Sequence, residues 1–318
     1  MDLQDDPRSK QGVWLMTTLW LITDNKPGHR SQLQGLAQAL AARTPVDTHW
    51  IDAPAGRTAF MHWLTGRFPP GAMLPEPDFI LVAGHRTHLA GLAARRARGG
   101  KLIALMRPSL PLGWFDLCVI PQHDNPPARA NVIATRGVLN TARPSPAREP
   151  DKGLFLIGGP SKHYNWDSAG LLAQIDAILA ATPAMQWTLT TSRRTPDDTE
   201  SALLALQARG VDVRPVRDTP PGWAMAQVAR SAQAWVTEDS VSMVYESLTA
   251  GAATGLLAVP RQGETRITAG VAELQREGFV TQFADWQREG RLHVAPQRLA
   301  EADRIAEAVL TRWHARTR

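Results

Sequence analysis

Cysteine is almost absent: the 318 residues hold one, Cys118, so no disulfide can form within the chain. That fits a reducing compartment, and the apolar run FDLCVIP around Cys118 points to packing rather than thiol chemistry. No run of about eighteen apolar residues occurs, which excludes a membrane-spanning helix. The opening MDLQDDPRSK is acidic and polar where a secretory signal would be basic and then apolar, so a cytoplasmic protein is expected. Tyrosine is scarce: there are two, Tyr164 and Tyr245, and neither has a lysine four residues on, which removes the Tyr–Lys pair of short-chain epimerases. The dinucleotide fingerprint G-x-G-x-x-G, the phosphate loop G-x-x-x-x-G-K-[ST] and the nucleophile elbow G-x-S-x-G are all missing. Histidines are scattered without the spacing of metal ligands, so no metal and no tightly bound cofactor are expected.

What is present is an apolar content of 43% with 20% charged residues, enough to bury real cores in two domains of ordinary size. The net charge of +5 is unevenly spread. Residues 14–147 carry 14 Lys+Arg against 7 Asp+Glu, while residues 148–318 carry 19 against 20. The basic excess is densest at RTHLAGLAARRARGGK (86–101), which suits an anionic partner; for Arg95, Arg96 and Arg98 alone a solvated helix face is the simpler expectation. The aromatic-and-basic strand pattern of single-strand binders is missing, so nucleic acid is not the expected partner.

Both halves alternate short apolar runs with helical patterns, the mark of parallel α/β units. Strands are expected at 19–23, 47–52, 78–84, 101–106, 117–121 and 131–137, with helices at 31–43 and 87–98. The proline-rich stretch NTARPSPAREPDKG (140–153) reads as a linker. Beyond it the pattern restarts, with strands at 154–159, 186–192, 211–216, 232–237 and 254–260. Helices are expected there at 167–181, 197–208, 222–230, 240–250, 266–277 and from about 297 to 315. The expected division is a tail (1–16), an N-terminal basic domain (17–147), a C-terminal domain (148–296) and a final helix (297–318). AFMHWLTGRFPP (59–70) reads as an amphipathic helix. Burial of its apolar face is the favoured expectation and a lipid-facing surface the alternative.

In doubly wound sheets, ligands sit outside the carboxyl ends of the strands, and that is where the polar residues collect. The first strand is followed by TDNKPGHRSQ, with Asp24, Asn25, Gly28 and His29, and the third by Gly84, His85 and Arg86. These form the expected acceptor side. In the second half, GGPSKH supplies Gly158, Gly159, Ser161 and Lys162, and TSRRTP supplies Ser192, Arg193 and Arg194. TEDSVSMVYES supplies Asp239, Ser240, Ser242, Met243 and Glu246. Glycines admit close backbone approach, cations neutralise phosphate, and helix amides bind anions. A diphosphate near Ser240 would bring Glu246, about 10 Å along the helix, within reach of ribose hydroxyls.

The stretches TDNKPGHRSQLQGL, NVIATRG, SRRTP and TEDSVSMVYESLTAG resemble the "elongated mitochondria" mitochondrial-fission family of plants and its bacterial relatives, over roughly residues 18–280. The resemblance implies an α/β GT-B architecture: two facing Rossmann-like domains with parallel sheets and a C-terminal helix across their interface. It is more distantly similar to the lipid-linked N-acetylglucosaminyltransferase of peptidoglycan synthesis, in which a glutamate in the equivalent helix holds the ribose; here that is Glu246. Glu238 and Glu246, eight apart, are similar to the paired glutamates of other GT-B enzymes. At GHRTH the sequence departs from the family's consecutive arginines.

The resulting expectation is a glycosyltransferase moving a sugar from a nucleotide diphosphate sugar, its donor substrate, to an acceptor that is lipid-linked or part of the cell envelope. His29 is the expected base and Asp24 the second choice. An anionic membrane surface at the inner face is the expected place of a lipid-linked acceptor. The alternative is a non-catalytic adaptor of the same fold, in keeping with the organelle-division role of the plant members.

Overall fold

The computed structural model of the protein describes residues 16–263 and 265–313; the expected tail lies outside them except for Met16. Contacts divide the chain into two compact units. The first comprises the described residues up to Val119, Arg129–Asn131 and the described residues from Ile305 on; the second comprises the described residues of Ile120–Ala128 and Val132–Arg304.

The first sheet contains β1 (Thr17–Thr23), β2 (Val46–Asp52), β3 (Phe79–Ala83), β4 (Lys101–Leu105), β5 (Leu117–Pro121) and β6 (Val132–Thr135), in the order β2-β1-β3-β4-β5-β6. Every residue of β1, β3 and β5 is buried, as strands covered on both faces require. Helices α1 (Pro27–Ala41), α2 (Gly56–Thr65) and α3 (His85–Arg98) alternate with the strands. Pro27 starts α1 four residues before the expected 31, because proline at the first helical position gives up an amide that would have no acceptor anyway.

Two expectations about the basic half fail. Helix α2 is not a buried amphipathic helix: Ala59 alone is buried, and Phe60, Met61 and Leu64 are 46%, 52% and 54% exposed. The helix leans on α3 through its small residue and half-buried Trp63, over whose ring Arg96 lies at 5.9 Å, so its bulkier apolar stripe is left uncovered. Nor are the α3 arginines merely solvated. Arg95 pairs with Asp116 at 3.0 Å, and Arg98 donates to the carbonyls of Gly71, Ala72 and Leu74, clamping that turn.

The second sheet contains β7 (Glu149–Leu156), β8 (Gln186–Thr190), β9 (Asp212–Arg214), β10 (Ser231–Thr237), β11 (Ala253–Leu257) and β12 (Val280–Gln282), in the order β12-β11-β10-β7-β8-β9. Its pairings are all parallel. The helices are α4 (Ser168–Ala181), α5 (Asp197–Leu204), α6 (Trp223–Arg230), α7 (Val241–Ala250), α8 (Arg266–Arg276), α9 (Phe283–Glu289) and α10 (Glu301–Trp313). Alternate residues at the end of β7 and just beyond it feed two cores: Leu154 and Leu156 join Val236, Val244 and Leu248 on one face, Phe155 and the following Ile157 join Trp187 and Trp235 on the other.

The expected boundary at 147 and the expected linker need correction. The second unit takes residues from Val132 on, and the proline-rich stretch is partly packed. Ala142 belongs to the core beside α7, Asn140 donates to Thr249 Oγ1 at 3.1 Å, and β7 already begins at Glu149. Prolines stop regular structure there without preventing burial. Helix α10 starts at Glu301, later than expected; its first residues count with the second unit and the rest with the first, where Trp313 packs on Phe79.

Candidate active site

In the second sheet the chain runs outward from β7 in one direction and from β10 in the other, so the neighbours β7 and β10 mark a topological switch point, where open α/β sheets bind ligands. The register pairs Val236 with Leu156 and Leu156 with Thr190, which brings the loops after β10, β7 and β8 to one edge.

These loops are tied together. The Gly158 amide donates to Thr237 Oγ1 at 2.8 Å, and the Gly159 amide donates to Asp239 Oδ2 at 3.0 Å. Arg194 donates to the same Oδ2 at 2.8 Å and to the carbonyls of Gly159 and Pro160. Thr195 Oγ1 donates to the Gly158 carbonyl. A Cβ on Gly158 would lie 2.3 Å from Asp239 Oδ2. The expected role of the paired glycines is therefore corrected. Their small size admits a protein carboxylate, and both amides and Arg194 already have partners. The Asp239 side chain is wholly buried, and its Oδ1 has no partner among the described residues. The expected phosphate seat at the start of α5 is weakened as well: Asp197, Asp198 and Glu200 fill its first turn and already balance the helix dipole. Lys162 and Arg193 are exposed, and neither makes an ion pair among the described residues; Ser161 Oγ accepts the His163 amide, and Ser192 Oγ the Arg194 amide.

Helix α7 opens at this edge. Ser240 is its N-cap and makes no side-chain cap bond, and the amides of Val241, Ser242 and Met243 have no acceptor within the helix. Val244, Tyr245 and Leu248 are buried, half-buried Met243 packs against the same core, and Ser242 is exposed. Glu246 is half-buried and has no cation or hydrogen-bond donor among the described residues. Burial pushes its carboxyl up to about 7. Next to Asp239, Glu238 is buried and receives two donors from Arg261, at 3.1 and 3.0 Å.

The first sheet has its own switch point, between β1 and β3. His29 Nδ1 lies 2.8 Å from Asp24 Oδ1; the Asp24 side chain is fully buried and that of His29 is 18% exposed. Burial works against the ionised carboxyl of Asp24, yet the bonds from His29 and the Lys26 amide, with both positive charges, hold it below the usual carboxylate range. This is the geometry of a carboxylate orienting an imidazole, with Nε2 left to exchange a proton. Asn25 is less available than expected: its amide donates to Asp52 and its carbonyl accepts from Arg30. Gly28 lies in the first turn of α1, while His85 and Arg86 stand exposed in the first turn of α3. His88, overlooked in the sequence, is buried beside them; burial first, then the charges of His85 and His29, lower it to about 4, so it is neutral at neutral pH.

Gly84 caps α3 with φ +89°, and a Cβ there would lie 2.3 Å from His29 Cε1. Gly84→Ala should destabilise the protein by about 1–3 kcal/mol through backbone strain and collision with the imidazole. Urea denaturation checks this; an unchanged midpoint would mean that His29 is not held in place.

The described residues thus bring together Gly158, Gly159, Arg194 and Asp239 at one sheet edge, and Asp24, His29 and Gly84 at another. Thr195 and Thr237, both within stretches the sequence singles out, complete the second-unit edge together with Arg261, which was overlooked in the sequence although it lies in the loop after β11.

Solved structures that superpose with TM-scores of 0.59 and 0.61 agree with this reading of the fold. The protein is 25% identical over 286 residues to a protein of Rickettsia prowazekii (strain Madrid E) named as uncharacterized protein RP120, covering 73% of this chain and 81% of that one. The UDP-GlcNAc 2-epimerase of Methanocaldococcus jannaschii superposes with a TM-score of 0.59 at 11% identity, over 93% of this chain and all of the other. MurG of Acinetobacter baumannii matches with a TM-score of 0.48 at 13% identity, over 92% and 90% of the two chains. The fold is α/β of the GT-B kind, with two parallel six-stranded sheets. Residues 27–313 match the family described as Mitochondrial fission ELM1, and the chain belongs to that family.

Proposed function

We propose that the protein transfers a sugar from a nucleotide diphosphate sugar to a hydroxyl acceptor. The observation that carries this is Glu246, a half-buried carboxylate without a cation, on a helix whose free amides open at the β7/β10 switch point. An uncompensated buried carboxyl is costly for a structure and useful for gripping hydroxyls. In this reading Glu246 accepts the ribose hydroxyls, and the amides of Val241 and Ser242, with Lys162 and Arg193, take the diphosphate. His29 Nε2 removes the acceptor proton as its oxygen bonds to the anomeric carbon. The bond from that carbon to the phosphate oxygen breaks, and the nucleoside diphosphate leaves with its pair of electrons, stabilised by the same amides and cations. The likeness to a UDP-GlcNAc epimerase supports a nucleotide sugar as the ligand class. A lipid-linked acceptor would belong to the basic first unit.

A second reading, an adaptor that keeps the fold without turnover, draws on the partners that Gly158, Gly159 and Arg194 already have within the chain. Calorimetry against the nucleoside diphosphates, then release of the nucleoside diphosphate from the matching sugar nucleotide, separates the two. Binding that weakens about 30-fold in Glu246→Ala, with slow release in the parent, is expected. Absence of binding to every nucleoside diphosphate would overturn the donor site, and binding without release under any acceptor would favour the adaptor.

A further inference from the structure

We propose that helix α2 of the first unit docks this protein on an anionic lipid surface, and this holds whether or not sugar is transferred. The helix carries Arg57, Phe60, Met61 and Leu64 at the three- and four-residue spacing of one stripe. Phe60, Met61 and Leu64 are about half exposed, and Met73, on the turn that Arg98 clamps through three carbonyls, is 95% exposed. An apolar stripe of this kind on a short helix is what an interfacial membrane helix presents. At ten residues, α2 is too short to cross a bilayer, and none of the described helices is long and apolar enough to do so.

Charge decides between a bilayer and an apolar protein partner. From Ala53 to Pro75 there is no Asp or Glu, and Arg57 and Arg67 are exposed without an ion pair among the described residues. The neighbouring α3 adds Arg96, which lies over Trp63 and 3.5 Å from where a Cβ on Gly66 would stand. No carboxylate occurs between His85 and Lys101 either. Anionic headgroups would meet Arg57, Arg67 and Arg96 beside the stripe, with exposed Glu76 beyond the Met73 turn as a like charge close along the chain, while the aromatic and thioether groups enter the acyl boundary.

The test is co-sedimentation of the full chain with vesicles of phosphatidylglycerol and phosphatidylcholine, and with phosphatidylcholine alone. The parent should bind the anionic vesicles at low salt and lose about tenfold in affinity in high salt or without phosphatidylglycerol. The exposed-residue variants Phe60→Ser/Leu64→Ser and Arg57→Glu/Arg67→Glu should each lose about tenfold, with unchanged circular dichroism. Failure of the parent to sediment with anionic vesicles at low salt, or equal binding by both variants, would overturn the proposal. So would a parent dimer on gel filtration that the serine variant converts to monomer without vesicle binding, because the stripe would then belong to a second copy. Nucleotide calorimetry on the same samples keeps this outcome separate from that of the donor site.

Discussion

Glu246→Gln should stabilise the folded protein at pH 8 by as much as about 3 kcal/mol, leave it unchanged at pH 4, and at the same time cost about two orders of magnitude in turnover. The sign follows from the carboxyl. Folded, Glu246 keeps its proton up to about pH 7; unfolded, it loses it near its ordinary value of 4.5. Between those values the folded state binds more protons, so stability falls as pH rises through the window and stays lower above it. The glutamine removes that cost and also removes the charge that a ribose would meet. A structural glutamate would move both quantities the same way. Thermal unfolding at the two pH values, beside steady-state kinetics, reads both. Nucleotide affinity of the parent should rise through pH 7 as the carboxylate forms, and a flat profile would detach Glu246 from the ligand.

His29→Ala should lower kcat by about 10²–10⁴-fold with little change in nucleotide affinity, because the imidazole belongs to the first unit. Asp24→Asn keeps the shape but loses the charge that orients the ring, and should fall between the parent and His29→Ala. A residual rate close to the parent's would assign the proton to another group and leave the Asp24–His29 pair a structural one.

Much of the fold was legible because parallel strands buried on both faces leave continuous apolar runs, such as TTLWLIT and FILVA, between helical periods. Strand β12 was not, since three residues are too few to show a period, and α9 follows it without a break. The position of the candidate residues at strand ends was equally legible, because each loop carries its polar residues directly after an apolar run. Their partners were not. Nothing in GGPSKH says that a buried aspartate 80 residues on will fill the space the glycines leave, and nothing in SRRTP says that Arg194 will pair with it. Long-range pairing depends on register, which the sequence of one strand does not carry. Helix α2 shows the complementary gap: periodicity marks an apolar stripe but not whether any neighbour covers it.

Cys118 has a practical side. It is fully buried in β5, and burial pushes its thiol up to about 12, so at neutral pH it offers almost no thiolate to an alkylating reagent. An introduced surface cysteine, for example at Met73, would therefore take a maleimide dye without first removing the native thiol. Fluorescence from such a probe would follow what happens at that turn in an otherwise unaltered chain.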